Sequence, residues 1–212
     1  MATFNNGING GFTGKVGSAI GYQLNGKWVM KGLPKVSLKN KKGTTKQNAC
    51  RSGFTKMQHF LNPLIAFIRV GFNLESKLRQ MTAHNVAKSY NMLHAQDSNG
   101  EIDCTKVRLT YGDLLGVENP VIAKDDVGFH FNWTDNTGNM WIRETDQVML
   151  AAYNVKEKRV YGIVSGARRK TGFDTLEIPT IEKGNEFHTW ISFISDDREH
   201  ISMSSYAGSF IF

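Results

Sequence analysis

Apolar and polar positions follow three different rhythms along this chain. Over residues 1–36, single apolar residues stand among glycines and polar residues: Phe4, Ile8, Phe12, Val16, Ile20, Tyr22, Leu24, Trp28 and Met30. Asn25-Gly26 lies between Leu24 and Lys27-Trp28. Both central positions of a type I′ turn need positive φ, which Asn and Gly accept most readily. The pattern predicts a hairpin with strands near 12–24 and 27–32, ended by Leu33-Pro34. Glycines inside such strands weaken them and let another backbone approach closely.

From about 44 to 96 the rhythm becomes helical. Cys50, Phe54, Met57, Leu61, Leu64 and Ile68 recur at steps of three and four, with Thr44 or Thr45 as the cap. Pro63 should divide this helix near Asn62, and Gly71 should end it. A further helix is predicted through Leu78, Met81, Val86, Tyr90 and Leu93, stopping at Asp97-Ser98-Asn99-Gly100. The helices are expected to cover the Gly-rich strands, using Phe54, Met57, Leu61 and Ile68.

From about 101 the period falls to two. Val107, Leu109 and Tyr111 alternate, as do Val127, Phe129, Phe131 and Trp133. Further strand-like runs are 147–154, 159–164, 174–178, 186–194 and 200–206. Asp135-Asn136-Thr137-Gly138, the 154–158 stretch and Lys183-Gly184-Asn185 punctuate them. About seven short strands spaced in this way predict a β-sandwich. The fold class expected is therefore α+β: a Gly-rich β-hairpin with a helical pair, then an immunoglobulin-like sandwich. The domain boundary is expected at the Ser98-Asn99-Gly100 turn, giving units 1–100 and 101–212.

Two resemblances agree with this plan. Trp133 on an early strand, Tyr153 some twenty residues later, and Leu176-Glu177-Ile178-Pro179 before Phe187-His188-Thr189-Trp190 resemble a fibronectin type III-like sandwich. That family often has a tyrosine near the place held here by Phe187. The whole chain also resembles a family of unknown function from Bacteroidota, domain of unknown function 6266. The matching residues are Gly10-Gly11-Phe12-Thr13-Gly14-Lys15-Val16-Gly17, Leu33-Pro34-Lys35, and Phe60-Leu61-Asn62-Pro63-Leu64 leading to Ile68-Arg69-Val70-Gly71-Phe72. Tyr90-Asn91 and the stretch Phe131 to Asn136 also fit. This resemblance implies no activity. It implies that the N-terminal zone and the sandwich form one recurring unit.

Charge changes the picture more than composition does. The apolar fraction, 40%, is that of an ordinary globular chain. The first acidic residue is Glu75, and eleven basic residues precede it. Residues 1–100 hold 14 Lys and Arg against 2 Asp and Glu, while 101–212 hold 12 against 17. Such polarity bears on partners rather than fold. Lys15, Lys27, Lys31, Lys35, Lys39, Lys41, Lys42, Lys46 and Arg51 are the candidate partner-binding residues. Three readings stay open for them: a solvated basic linker, nucleic-acid phosphates, or the acidic surface of another copy. Arg168-Arg169-Lys170 reads as a second, smaller basic cluster on a loop.

The strand-like chain end, Phe210, Ile211 and Phe212, is a candidate self-association strand, because an unpaired terminal strand invites pairing. The expected function is a non-enzymatic structural protein that forms homo-oligomers through its basic head and acidic sandwich. Nucleic-acid binding through the basic zone is the alternative.

Nothing in the sequence points to a catalytic or cofactor site. Gly14-Lys15 lacks the glycine five residues before Gly14 and the hydroxyl after Lys15 that a phosphate loop requires, since Asn9 and Val16 stand there. The six histidines show no metal-site spacing. Asp125-Asp126 and Asp196-Asp197 lack the alternating oxygen ladder of a calcium loop. Cys50 and Cys104 are expected to be free thiols. No apolar run is long enough to span a membrane. The N-terminus lacks the basic and apolar regions of a signal peptide, which leads to an expectation of cytoplasmic synthesis.

Overall fold

The computed structural model describes residues 2–4, 7, 10–33, 43–138, 143–179 and 184–212. The chain forms two compact units, Met1–Gln47 and Asn48–Phe212. The first is a four-stranded antiparallel meander of β1 (Thr3–Phe4), β2 (Phe12–Val16), β3 (Ala19–Leu24) and β4 (Lys27–Gly32), in that order. Asn25 and Gly26 both hold positive φ, 49° and 77°, at the expected hairpin turn. The single strand expected over 12–24 is two strands, because Gly17 at φ 55° opens a second turn.

Helix α1 (Thr45–Leu61) starts with a reciprocal cap. Thr44 Oγ1 accepts from the Gln47 amide at 3.3 Å, and Gln47 Oε1 accepts from the Thr44 amide at 2.9 Å. Pro63 separates it from α2 (Ile65–Gly71), as expected. The next predicted helix is two helices, α3 (Asn73–Arg79) and α4 (Ala83–His94), because Gln80 takes a left-handed conformation and Thr82 caps a new start. Leu78 and Leu93 are therefore exposed, 80% and 76%, although their spacing suits a buried stripe.

Seven strands build the sandwich: β5 (Glu118–Lys124), β6 (Gly128–Thr134), β7 (Gln147–Asn154), β8 (Arg159–Ile163), β9 (Phe173–Glu177), β10 (Glu186–Ile194) and β11 (Ser205–Ile211). They form two antiparallel sheets, β5-β6-β9 and β11-β10-β7-β8. Phe129, Phe131 and Trp133 meet Val148, Leu150, Phe187, Ile191 and Phe193 between the sheets. The opposite face of β7 and β10 offers Met149, Ala151, Tyr153, Trp190 and Ile194 to Met57, Leu61, Leu64, Ile68 and Phe72 from the helices. The helices thus find their partner in the sandwich, where the Gly-rich strands were expected. Phe54 takes no part in this core and stays 45% exposed. The sheet buried on both faces explains why β7 reads as a near-continuous apolar run from Val148 to Tyr153.

This shared core places the helices in one unit with the sheets, and the unit boundary falls at Gln47/Asn48. The Ser98-Asn99-Gly100 turn lies inside the second unit. Residues 107–111, expected as a strand, form no strand and bend at Leu109. Its backbone bonds to scattered partners instead, among them the Gly71 carbonyl, the Ser204 amide and two side chains. Asn91 bridges both polar groups of Arg108 at 2.9 and 2.8 Å, and Ser204 Oγ accepts from the Leu109 amide at 2.8 Å.

Candidate interaction surface

The strand registers divide the N-terminal sheet into two unlike faces. Gly14, Gly21 and Met30 share one row, Gln23 and Trp28 the next, and Phe4 pairs with Phe12. Side chains alternate along a strand, so this face carries Phe4, Phe12, Val16, Ala19, Trp28 and Met30, with Gln23 and glycines and no charge. The opposite face carries Lys15, Lys27 and Lys31, with Ile20, Tyr22, Leu24 and Val29 between them.

The uncharged face is built by aromatic rings lying over glycine. A Cβ at Gly11 would stand 1.9 Å from Trp28 Cδ2, so only glycine lets the indole lie there. A Cβ at Gly21 would stand 2.6 Å from Phe12 Cε2. Phe4 and Phe12 lie with ring centroids 5.3 Å apart. These contacts do not make a core. Phe4, Val16, Trp28 and Met30 remain 46%, 43%, 44% and 69% exposed, and Gly21 is the one buried position among the described residues of the four strands. The alternation was present in the sequence, but recognising this face required the extra turn at Gly17-Ser18.

The candidate partner-binding cations separate into three groups. Lys15, Lys27 and Lys31 share the second face, where Lys31 Nζ lies 5.3 Å from the Tyr22 ring centroid. Lys46 and Arg51 are exposed on α1. Lys35, Lys39, Lys41 and Lys42 lie outside the described residues. Divided at the unit boundary, the charge contrast changes character: residues 1–47 hold eight lysines and no acid, while 48–212 hold 18 basic against 19 acidic residues and are nearly neutral.

The acidic side offers fewer free groups than its count implies. Glu101 pairs with Lys56, Glu144 with Lys170 at 2.7 Å, and Asp197 with Arg143 at 2.9 Å. Asp125 accepts from the Val127 and Gly128 amides at 2.8 and 3.0 Å and lies 2.7 Å from His130 Nε2. These bonds lower the Asp125 pKa, the His130 contact most. The Arg168-Arg169-Lys170 cluster is not a free basic patch. Arg169 is fully buried, 3.3 Å from Asp146 Oδ2 and 3.8 Å from the Phe193 ring centroid. It donates to Asn136 Oδ1 at 2.7 Å and to the Leu115 carbonyl at 2.9 Å, while its own carbonyl accepts from Trp133 Nε1 at 2.8 Å. Burial raises the Asp146 pKa and lowers that of Arg169, and their pairing offsets part of each shift.

Phe210, Ile211 and Phe212 do not form a free end. Phe210 pairs with Phe187 and Ile211 with Glu186 across β10. Phe212 packs its ring 5.1 Å from Phe129 and 5.4 Å from Phe187, and its amide donates to the Asn185 carbonyl at 3.1 Å. Lys124 Nζ donates to the Ile211 carbonyl. Only the outer edge of β11 remains, with Ile211 64% exposed.

Cys50 is exposed and Cys104 half-buried, both as free thiols. Burial, with Asp103 and Glu186 nearby, pushes the Cys104 thiol up to about 11, which removes its nucleophilic form at neutral pH. Among the described residues, no group of three His, Cys, Asp or Glu comes together as a metal site. No helix among them is long and apolar enough to cross a membrane. No curated protein matches the chain. The sequence model of a family of unknown function, DUF6266, matches residues 11–208, so the chain belongs to that family.

Proposed function

We propose that this chain is a non-enzymatic structural protein that self-associates, with the uncharged face of its N-terminal sheet as the contact. The observation that carries this is a four-stranded sheet with four large apolar residues more than 40% exposed on one uncharged face. A unit of 47 residues that contains no cysteine gains little from burial alone. A second copy of the same face suits it. The lysines lie on the other side, so stacking two such faces opposes no like charges. Contact between basic head and acidic sandwich is less favoured, because several sandwich carboxylates already hold cations of their own chain.

Light scattering on the intact protein tests this reading. The expected result is a particle larger than the 23.8 kDa chain at both about 20 and about 500 mM salt, since salt screens charge and not apolar burial. Met30→Glu should return it to the monomer. A wild-type monomer under both conditions overturns the reading.

A second reading rests on the lysine face. Lys15 and Lys31 flank Ile20 across three adjacent strands, with no carboxylate in the unit to balance them. Such a face would hold nucleic-acid phosphates without reading sequence, and the binding would weaken steeply with salt. Replacing Lys15, Lys27 and Lys31 by Glu should abolish retardation of DNA or RNA. No retardation of either nucleic acid by the folded wild type at low salt removes this reading.

A further inference from the structure

We propose that Met30 is a reversible oxidation site: a peroxide converts its thioether to the sulfoxide and so blocks self-association through the uncharged face. This rests on the self-association proposed above and names a chemistry that regulates it. Met30 is the most exposed of the described methionines, 69% against 47% for Met81 and 40% for Met203. Met57 and Met149 are fully buried in the helix-covered core, and Met92 packs half-buried against it. The neighbour of Met30 across β3 is Gly21, and two residues along β4 stands Gly32, so neither carries a side chain to shield the sulfur. The indole of Trp28, on its other side, lies over Gly11.

The step balances with hydrogen peroxide as the oxidant. A sulfur lone pair attacks one peroxide oxygen, the O–O bond breaks, the sulfur keeps that oxygen and the remainder leaves as water. The sulfur loses two electrons and the peroxide gains them. Phe4 and Val16 on the same face offer no such lone pair. The product replaces an apolar thioether by a polar sulfoxide that accepts hydrogen bonds. Burying that oxygen unpaired against a second apolar face should weaken association by about tenfold or more. The dissociated protein opens Met30 to the oxidant and the associated one covers it, so oxidation traps the dissociated form. Methionine sulfoxide reductases restore the thioether, which makes the block reversible.

The test treats dilute intact protein with hydrogen peroxide, quenches with catalase and dithiothreitol to remove peroxide and any disulfide, and follows peptide masses and light scattering together. The wild type should gain one oxygen at Met30 while Met57 and Met149 gain none, and its particle should shrink. Treatment with the reductases should restore both mass and size. Met30→Leu keeps the face apolar without a sulfur, so it should associate and keep its size in peroxide. Met30→Gln places a polar amide there and should be smaller before any treatment. A Met30 that stays unoxidised while Met81 and Met203 react overturns the proposal, as does equal shrinkage of the wild type and Met30→Leu. An untreated particle whose size survives complete oxidation of Met30 removes this inference alone. An untreated monomer removes the self-association reading and this inference with it.

Discussion

The chain contains two four-stranded antiparallel sheets, β1-β2-β3-β4 and β11-β10-β7-β8, and they meet their surroundings in opposite ways. Trp190 in β10 is fully buried beneath the helices, while Trp28 in β4 is 44% exposed. Strand β7 is buried from Val148 to Asn154, whereas β4 has no buried residue. Charge follows the same division. The covered sheet belongs to a nearly neutral unit, while the uncovered one belongs to a unit whose only charged side chains are lysines. One sheet is a structural core. The other has the composition of a core face with nothing from its own strands to cover it. That difference places the larger core in the second unit, and the proposed function assigns association to the first.

The largest expected effect uses this pair of tryptophans. Trp190→Ala should cost roughly 3–5 kcal/mol in denaturant unfolding of the second unit. Trp28→Ala should leave that transition in place and lower the particle size instead. Equal losses of stability in the two variants would erase the distinction between the sheets.

Next comes the buried ion pair. Asp146→Ala leaves the Arg169 guanidinium buried without its counter-charge, and should cost about 3–5 kcal/mol. Replacing both, Asp146→Leu with Arg169→Met, should cost less than the single change. A double-mutant cycle by urea denaturation measures this, and additive losses would contradict the pairing.

A smaller effect lies at the junction of the units. Thr44→Ala removes one half of the reciprocal cap on α1 and should cost on the order of 1 kcal/mol. Thermal denaturation followed by circular dichroism would detect it.

The smallest effect concerns pH. Burial lowers the His188 and His84 pKa values from 6.5, so the folded chain holds both neutral more firmly than the unfolded chain does. Below about pH 6.5 the unfolded state takes up more protons, and stability should decline as pH falls through that range. His188→Gln should flatten the slope of urea midpoint against pH between about 7 and 5. An unchanged slope would remove His188 as a cause.

Local signals made part of this organisation legible in the sequence. Asn25-Gly26 fixed a turn through its own backbone preference, and Pro63 stopped a helix because it lacks an amide hydrogen. β7 stood out because burial on both faces leaves little room for polar residues. Features decided by distant partners were not legible. The 107–111 stretch alternates like a strand, yet its bonds go to Asn91, Ser202 and Ser204. Arg169 looked like part of a solvated cluster until Asp146, Asn136 and Phe193 surrounded it. The candidate contact face was hidden for a simpler reason. Without the Gly17-Ser18 turn, the apolar residues of β2 and β4 cannot be assigned to one side.

Disulfide trapping tests most directly whether the uncharged face meets a second copy. In a Cys50→Ser background, Met30→Cys places a thiol on that face, and Lys31→Cys places one on the opposite face of the same strand. Oxidation of the Met30→Cys protein should give a covalent dimer, unaffected by salt, and oxidation of Lys31→Cys should give none. Failure of Met30→Cys to cross-link, or equal cross-linking at the two positions, would contradict it.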